Sequence, residues 1–332
     1  SPDSSTAALY GDPGGVSVWD AATHERILWL PDARPPYALG PGVVAAAQPD
    51  DTLALYDVAS GERRLNLPGP VSGFWRAAAF SPDGSRLAYG VGNEVVIVDA
   101  QTGAEQLTFG DYPEGQTISH LIWAPDGGAL VAASGQDSDY PTGTVILWEL
   151  GVDGPTAQIR VENLQANWDI DWLQLALFNP SGRLVALERN PGSRASDIEV
   201  VVVDRQTGET AREANAYRMQ HWVSEDVLLA TEAAGSGSFV EFYIAAGERL
   251  PVNTTGSQAF IGVYFPDGPY HGEIRHVPPP PRGVRVTNWR EGQQVTSVSV
   301  DVDVQGLSLS PDGCRLLVRG IYGVVYVVPV GW

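Results

Sequence analysis

Lysine is missing from this chain altogether, and in 332 residues cysteine and methionine occur once each and histidine five times. Without lysine there is no Walker-type phosphate loop, no Schiff-base nucleophile and no ammonium clamp for a phosphate. The single thiol, Cys314, excludes an internal disulfide framework and a cysteine-based zinc site. It directly follows a Ser-Pro-Asp-Gly turn and reads as a small strand residue. No apolar run reaches the roughly 18 residues that a hydrophobic transmembrane helix needs. No stretch of about a dozen residues sustains a helical period either, which leaves strands and turns.

Positive charge is scarce as well. All 20 basic residues are arginine, against 40 Asp and Glu, for a net charge of −20. Such a surface is repelled by DNA, RNA and anionic lipid, so neither nucleic acid nor membrane insertion is expected. The chain opens on Ser1, and its one methionine is Met219. A mature product after removal of a leader has this form, as does an excised fragment; the expectation is an extracytoplasmic protein, secreted, periplasmic or on the cell surface. Asn253-Thr254-Thr255 has the N-glycosylation pattern, a triplet that is common by chance.

Catalytic motifs are sparse. Gly235-Ser236-Gly237-Ser238 has the composition of a flexible loop rather than of a nucleophile elbow. His271 and His276 are five apart, on opposite faces of an extended segment, and do not make a shared metal site. Three Asp-x-Asp pairs (Asp137/Asp139, Asp169/Asp171, Asp301/Asp303) each place two carboxylates on one face of an extended chain. They lack the glycine and distal glutamate of an EF-hand loop and read as solvated loop charges. No cofactor or metal is expected.

What the chain has in abundance is a repeated phrase. Phe80-Ser81-Pro82-Asp83-Gly84, Trp123-Ala124-Pro125-Asp126-Gly127, Phe178-Asn179-Pro180-Ser181-Gly182, Phe265-Pro266-Asp267-Gly268 and Leu309-Ser310-Pro311-Asp312-Gly313 each stand before an apolar run. Degenerate copies occur at Gly40-Pro41-Gly42 and Ser224-Glu225-Asp226, and the chain opens in one at Ser1. The period is about 40–45 residues, with one longer step from 124 to 179. About 15 residues further on comes a second marker, an apolar run ending in a Trp-Asp-like pair. It reads Val18-Trp19-Asp20, Leu55-Tyr56-Asp57, Val98-Asp99, Leu147-Trp148-Glu149 and Val203-Asp204. Proline presets φ and glycine supplies positive φ, so both markers are hairpin turns between short strands.

These residues resemble the WD40 and WD40-like (PD40, YVTN-type) β-propeller repeats over essentially the whole chain. The resemblance implies an all-β fold, a WD40-like propeller of four-stranded antiparallel blades, residues 1–332 forming one domain. Eight blades are favoured and seven are the alternative. The Ser-Pro-Asp-Gly turn then joins strands A and B of a blade, and the Trp-Asp-like pair ends strand C. With few histidines, most copies lack the family's Gly-His pair, which points to the looser bacterial-type repeat. Counted this way, the first blade lacks strand A and the last lacks strand D. An upstream segment, or a strand donated by a neighbouring copy, is expected to complete them, with assembly into an oligomer or filament as one consequence.

In this family the D-to-A and B-to-C connections open on one face. Aromatic and charged residues map there: Trp75, Arg76, Tyr112, Trp168, Asp169, Asp171, Trp172, Tyr217 and Trp222, with Tyr37, Phe74 and Arg218 nearby. Two unusual segments fall in the longest step, Gly135 to Gly143 and Asn163 to Trp172. The expected function is a non-catalytic scaffold that binds a protein or small ligand at this face. One alternative is a hydrolase- or lyase-type propeller enzyme using loop carboxylates or His120 and His221. The other is the gating propeller of a larger peptidase.

Overall fold

The computed structural model describes residues 5–10, 14–23, 25–71, 76–135, 142–165, 176–189, 197–215, 217–232 and 239–251, and beyond them the strands named below. All are antiparallel and paired in sequence order. The first sheet has three: β1 (Thr6–Tyr10), β2 (Val16–Asp20) and β3 (Arg26–Leu30). The second has β4 (Arg34–Gly40), β5 (Val43–Ala47), β6 (Leu53–Asp57) and β7 (Arg63–Leu67). The third has β8 (Ala78–Phe80), β9 (Arg86–Val91), β10 (Glu94–Asp99) and β11 (Glu105–Phe109). The fourth has β12 (Thr117–Trp123), β13 (Ala129–Gly135), β14 (Thr142–Gly151) and β15 (Gly154–Gln165). The fifth has β16 (Ala176–Phe178), β17 (Leu184–Arg189), β18 (Glu199–Asp204) and β19 (Thr210–Asn215). The sixth has β20 (Tyr217–Trp222), β21 (Val227–Glu232), β22 (Phe239–Tyr243) and β23 (Glu248–Pro251). The seventh has β24 (Gly262–Tyr264), β25 (Tyr270–Arg275), β26 (Arg282–Asn288) and β27 (Gln293–Val300). The last has β28 (Val304–Leu309), β29 (Arg315–Gly320) and β30 (Val325–Pro329). Residues 1–170 and 171–332 form two compact units.

Both sequence markers have a visible cause. In the turn between β8 and β9, Ser81 Oγ donates to Asp83 at 2.6 Å and accepts from the Arg86 N–H at 3.0 Å. Gly84 takes φ of +70° and returns its N–H to the Ser81 carbonyl. Hydrogen bonds from the Ser81 hydroxyl, then from the Ser85 hydroxyl and N–H, hold the Asp83 carboxyl at about 2. The aspartate closing a third strand caps the next turn. Asp99 accepts from the N–H groups of Gln101 and Thr102 and from the Thr102 hydroxyl, while Gly103 adopts φ of +73°. A carboxylate at that point satisfies donors that the hairpin leaves free, which is why the strand ends in Asp.

Burial grades across each sheet. In β5 and β13 every residue is buried on both faces, whereas the fourth strands β7, β11 and β19 are largely exposed. The cores lie between consecutive sheets, not within one. Leu53, Leu55 and Phe80 join the second to the third; Ile97, Ile118 and Trp148 join the third to the fourth. In the other unit, Val202, Met219 and Phe242 join the fifth to the sixth. A sheet that is apolar on both faces is stable only when neighbours cover both, so the sequence forces stacking. First strands of consecutive sheets touch: β4 with β8, β8 with β12, and β16 with β20.

Two boundaries differ from the sequence-based reading. Asn163 to Gln165 continue β15, and Thr142 and Gly143 begin β14. Their hairpin is long because cross-strand pairing runs from Gly151 and Gly154 at its tip to Thr142 and Gln165.

Candidate recognition face

The two ends of the sheets are built differently. Turns carrying the sequence markers are short and latched. Arg86 donates to the Gly127 carbonyl of the next sheet at 2.6 Å and lies over Trp123. Asn179, buried, donates to the Glu225 carbonyl and side chain at 3.0 and 2.7 Å. The opposite end holds longer connections, including residues 110–116 between β11 and β12.

In the first unit these connections are tied down by polar contacts. Arg34 at the start of β4 pairs with Asp51 and donates through Nε to the Gln48 carbonyl at 3.2 Å. The Asp51 carbonyl accepts from the Val71 N–H at 2.9 Å, so the 48–52 turn is held from two sides. Asp51 has φ of +63°, a conformation that aspartate tolerates better than most residues. Arg160, on β15 of the fourth sheet, pairs with Asp111, in the connection from the third.

Nine residues were expected on this face, and they divide three ways. Trp75, Trp168, Asp169, Asp171 and Trp172 lie outside the described residues. Arg76 is described and exposed. Tyr112, Tyr217 and Trp222 are buried, and packing between strands is their role here. The Tyr112 hydroxyl donates to the Ala132 carbonyl at 3.0 Å and accepts from Trp148 Nε1 at 3.1 Å; its burial pushes the phenol pKa up. Tyr217 sits edge-on to Phe242 at 5.1 Å, and its hydroxyl accepts from Arg249. Trp222 donates to the Leu177 carbonyl at 3.0 Å. A ring entering a first strand fills the gap between two sheets, and its one polar atom is satisfied inside. All six Asp-x-Asp carboxylates lie outside the described residues. Among the described residues no three His, Cys, Asp or Glu gather as a metal would require.

Two buried ionisable groups stand near this end. His120, on β12, has Nδ1 3.2 Å from Ser119 Oγ, and that hydroxyl gives its one proton to the Ala133 carbonyl at 3.2 Å. With the Ser119 proton on that carbonyl, Nδ1 is the donor of the pair and Nε2 the acceptor. Burial, then the Arg76 charge, lower the ring's pKa to about 4. A base activating Ser119 needs its lone pair at Nδ1, so this pair is not set as nucleophile and base.

Glu188, on β17, was not picked out from the sequence. Burial raises its pKa to about 7, against the opposing pull of Arg218 and of a hydrogen bond from the Met219 backbone. A signal was there: Glu188 ends the run Leu184-Val185-Ala186-Leu187, at a position where β9 and β13 carry Gly90 and Ala133. A carboxylate replacing glycine or alanine in a strand buried on both faces is out of pattern.

No family model matches the chain. Coronin-7 of Mus musculus, a WD40 protein, is 32% identical over 103 residues, which are 31% of this chain and 11% of Coronin-7. Among solved structures, BamB from Moraxella catarrhalis superposes with a TM-score of 0.60 at 14% identity, over 96% of this chain and 90% of that one. A chain of the mitotic checkpoint complex gives 0.58 at 16% identity, over 90% of each. Both are β-propellers. At these identities the likeness is one of fold: the chain has a propeller-type all-β architecture.

Proposed function

We propose that this chain is a non-catalytic recognition module that binds a protein or peptide at the end of the sheets carrying the long connections. The observation that supports it is the asymmetry between the two ends. One is closed by short turns latched through Arg86, Asn179 and Glu225. The other carries longer connections, held among the described residues by Arg34–Asp51 and Asp111–Arg160, with Arg76 exposed. The sequence between β7 and β8 and between β15 and β16 adds Trp75, Trp168 and Trp172. A rigid scaffold presenting varied loops with aromatic and arginine anchors suits recognition.

In this reading the sheets are eight blades of a single ring. The first and last have three strands each, and a fourth strand for each comes from a complementing segment or a neighbouring copy. An acidic module of this kind fits an extracytoplasmic assembly. Two-dimensional electron-microscopy class averages count the blades directly, and seven would sink the eight-blade reading.

The recognition face is tested by selecting peptides from a random display library against the wild-type chain. Joint replacement of Trp168 and Trp172 by alanine is expected to weaken the selected peptides about tenfold or more. Arg64→Ala, at the short-turn end, leaves them unchanged. Peptides that bind the double variant as well as wild type overturn the assignment.

A further inference from the structure

Among the described residues the arginines follow a pattern. Four pair with carboxylates and five lie over aromatic rings. Arg63 donates to Asn66, and Arg218 acts on Glu188. Arg76 does none of these. In a chain of net charge −20 an exposed guanidinium with no carboxylate is out of place. Its neighbour is specific. Arg76 forms a parallel bridge with His120, and the Leu121 N–H donates to the Arg76 carbonyl at 3.0 Å. Bridged backbones lie about 4.8 Å apart, so guanidinium and imidazole rise from adjacent positions.

The two side chains offer complementary chemistry. Arg76 presents only donors. In the tautomer that leaves the Ser119 proton on the Ala133 carbonyl, His120 Nε2 is an acceptor. Nε2 makes no hydrogen bond seen among the described residues, and His120 as a residue is 7% exposed.

We propose that Arg76 and His120 form a subsite for an amide group, whose oxygen accepts from the guanidinium and whose N–H donates to His120 Nε2. This rests on the recognition reading above and names the chemistry of its partner: an Asn or Gln carboxamide, or a main-chain peptide unit. A carboxylate satisfies Arg76 but sets its lone pairs against that of Nε2 unless the buried ring takes up a proton. The acidic surface repels an anion besides.

The test is nuclear magnetic resonance of the ¹⁵N-histidine-labelled chain at neutral pH, with His120 assigned by its loss in His120→Phe. Three probes are titrated: the acetyl N-methylamides of glutamine, alanine and glutamate. The glutamine probe is expected to move the His120 Nε2 resonance saturably, and Arg76→Gln to weaken it about tenfold or more, the worth of a charge-assisted hydrogen bond. An equal response to the alanine probe assigns the main-chain amide; a weaker one assigns the side chain. The subsite is overturned if no probe moves His120, if Arg76→Gln responds like wild type, or if the glutamate probe binds best with His120 becoming imidazolium. A selected peptide that needs Trp168 and Trp172 but ignores Arg76 and His120 leaves the recognition face standing and removes only this subsite.

Discussion

The indole N–H of Trp123 donates to the carbonyl of Ala79 at 3.0 Å, joining the first strands of two consecutive sheets. Trp222 repeats the relationship with Leu177 at the same distance in the other unit. One contact thus serves both as core and as register pin. It accounts for tryptophan at these two positions; Phe80 and Phe178, at the corresponding places, have no N–H to donate. Phenylalanine at either position keeps most of the buried ring but strands the facing carbonyl. Trp123→Phe and Trp222→Phe are each expected to lower stability by about 1–3 kcal/mol, read from urea unfolding midpoints. No loss in either variant removes the pin.

Glu188 makes stability depend on pH in a defined direction. Its folded pKa, raised to about 7 from an ordinary 4.5, means that the folded chain keeps a proton the unfolded chain releases. Stability from this group is therefore fully present below about pH 4.5, is lost as pH rises to 7, and stays lost above. Glu188→Gln keeps an acceptor for the Met219 N–H and removes the titration. Its advantage over wild type should be near zero at acid pH and on the order of 3 kcal/mol at pH 8. A constant difference across that range argues against a titrating Glu188.

His120 works in the opposite sense. Its folded pKa of about 4 lies below the ordinary 6.5, so the folded chain resists protonation. The contribution is complete above pH 6.5 and is lost as pH falls toward 4, where the unfolded chain holds the extra proton. The His120 ring resonances are expected to titrate with a midpoint near 4. A midpoint near 6.5 would place the ring in water and remove the acceptor at Nε2.

Glycines of the turns separate backbone demand from packing demand. Gly42 and Gly84 both have positive φ, at +65° and +70°. A methyl group on Gly42 meets open space, whereas on Gly84 it lies 2.5 Å from Pro41 Cδ in the neighbouring sheet. Gly42→Ala should cost about 1 kcal/mol, the left-handed penalty alone. Gly84→Ala should cost clearly more, since two sheets must separate. Equal melting temperatures for the two variants contradict this account of sheet contact.

The repeat was legible in the sequence because its cause is local. Pro82-Asp83-Gly84 sets a turn through its own dihedrals and hydrogen bonds, and Asp99 caps its own hairpin, so neither needs a distant partner to be recognised. Alternation and apolar runs marked the strands for the same reason. Side-chain fate was not local. Tyr112, Tyr217 and Trp222 have the composition of a binding patch, yet each ring fills a gap that exists only when the next sheet stacks against it. Arg76 and His120 are 44 positions apart, and only a parallel bridge between first strands brings them together. Local dihedral preference wrote the strands and turns into the sequence; which aromatics are buried, and which side chains of distant positions meet, was decided by the packing of one sheet on another.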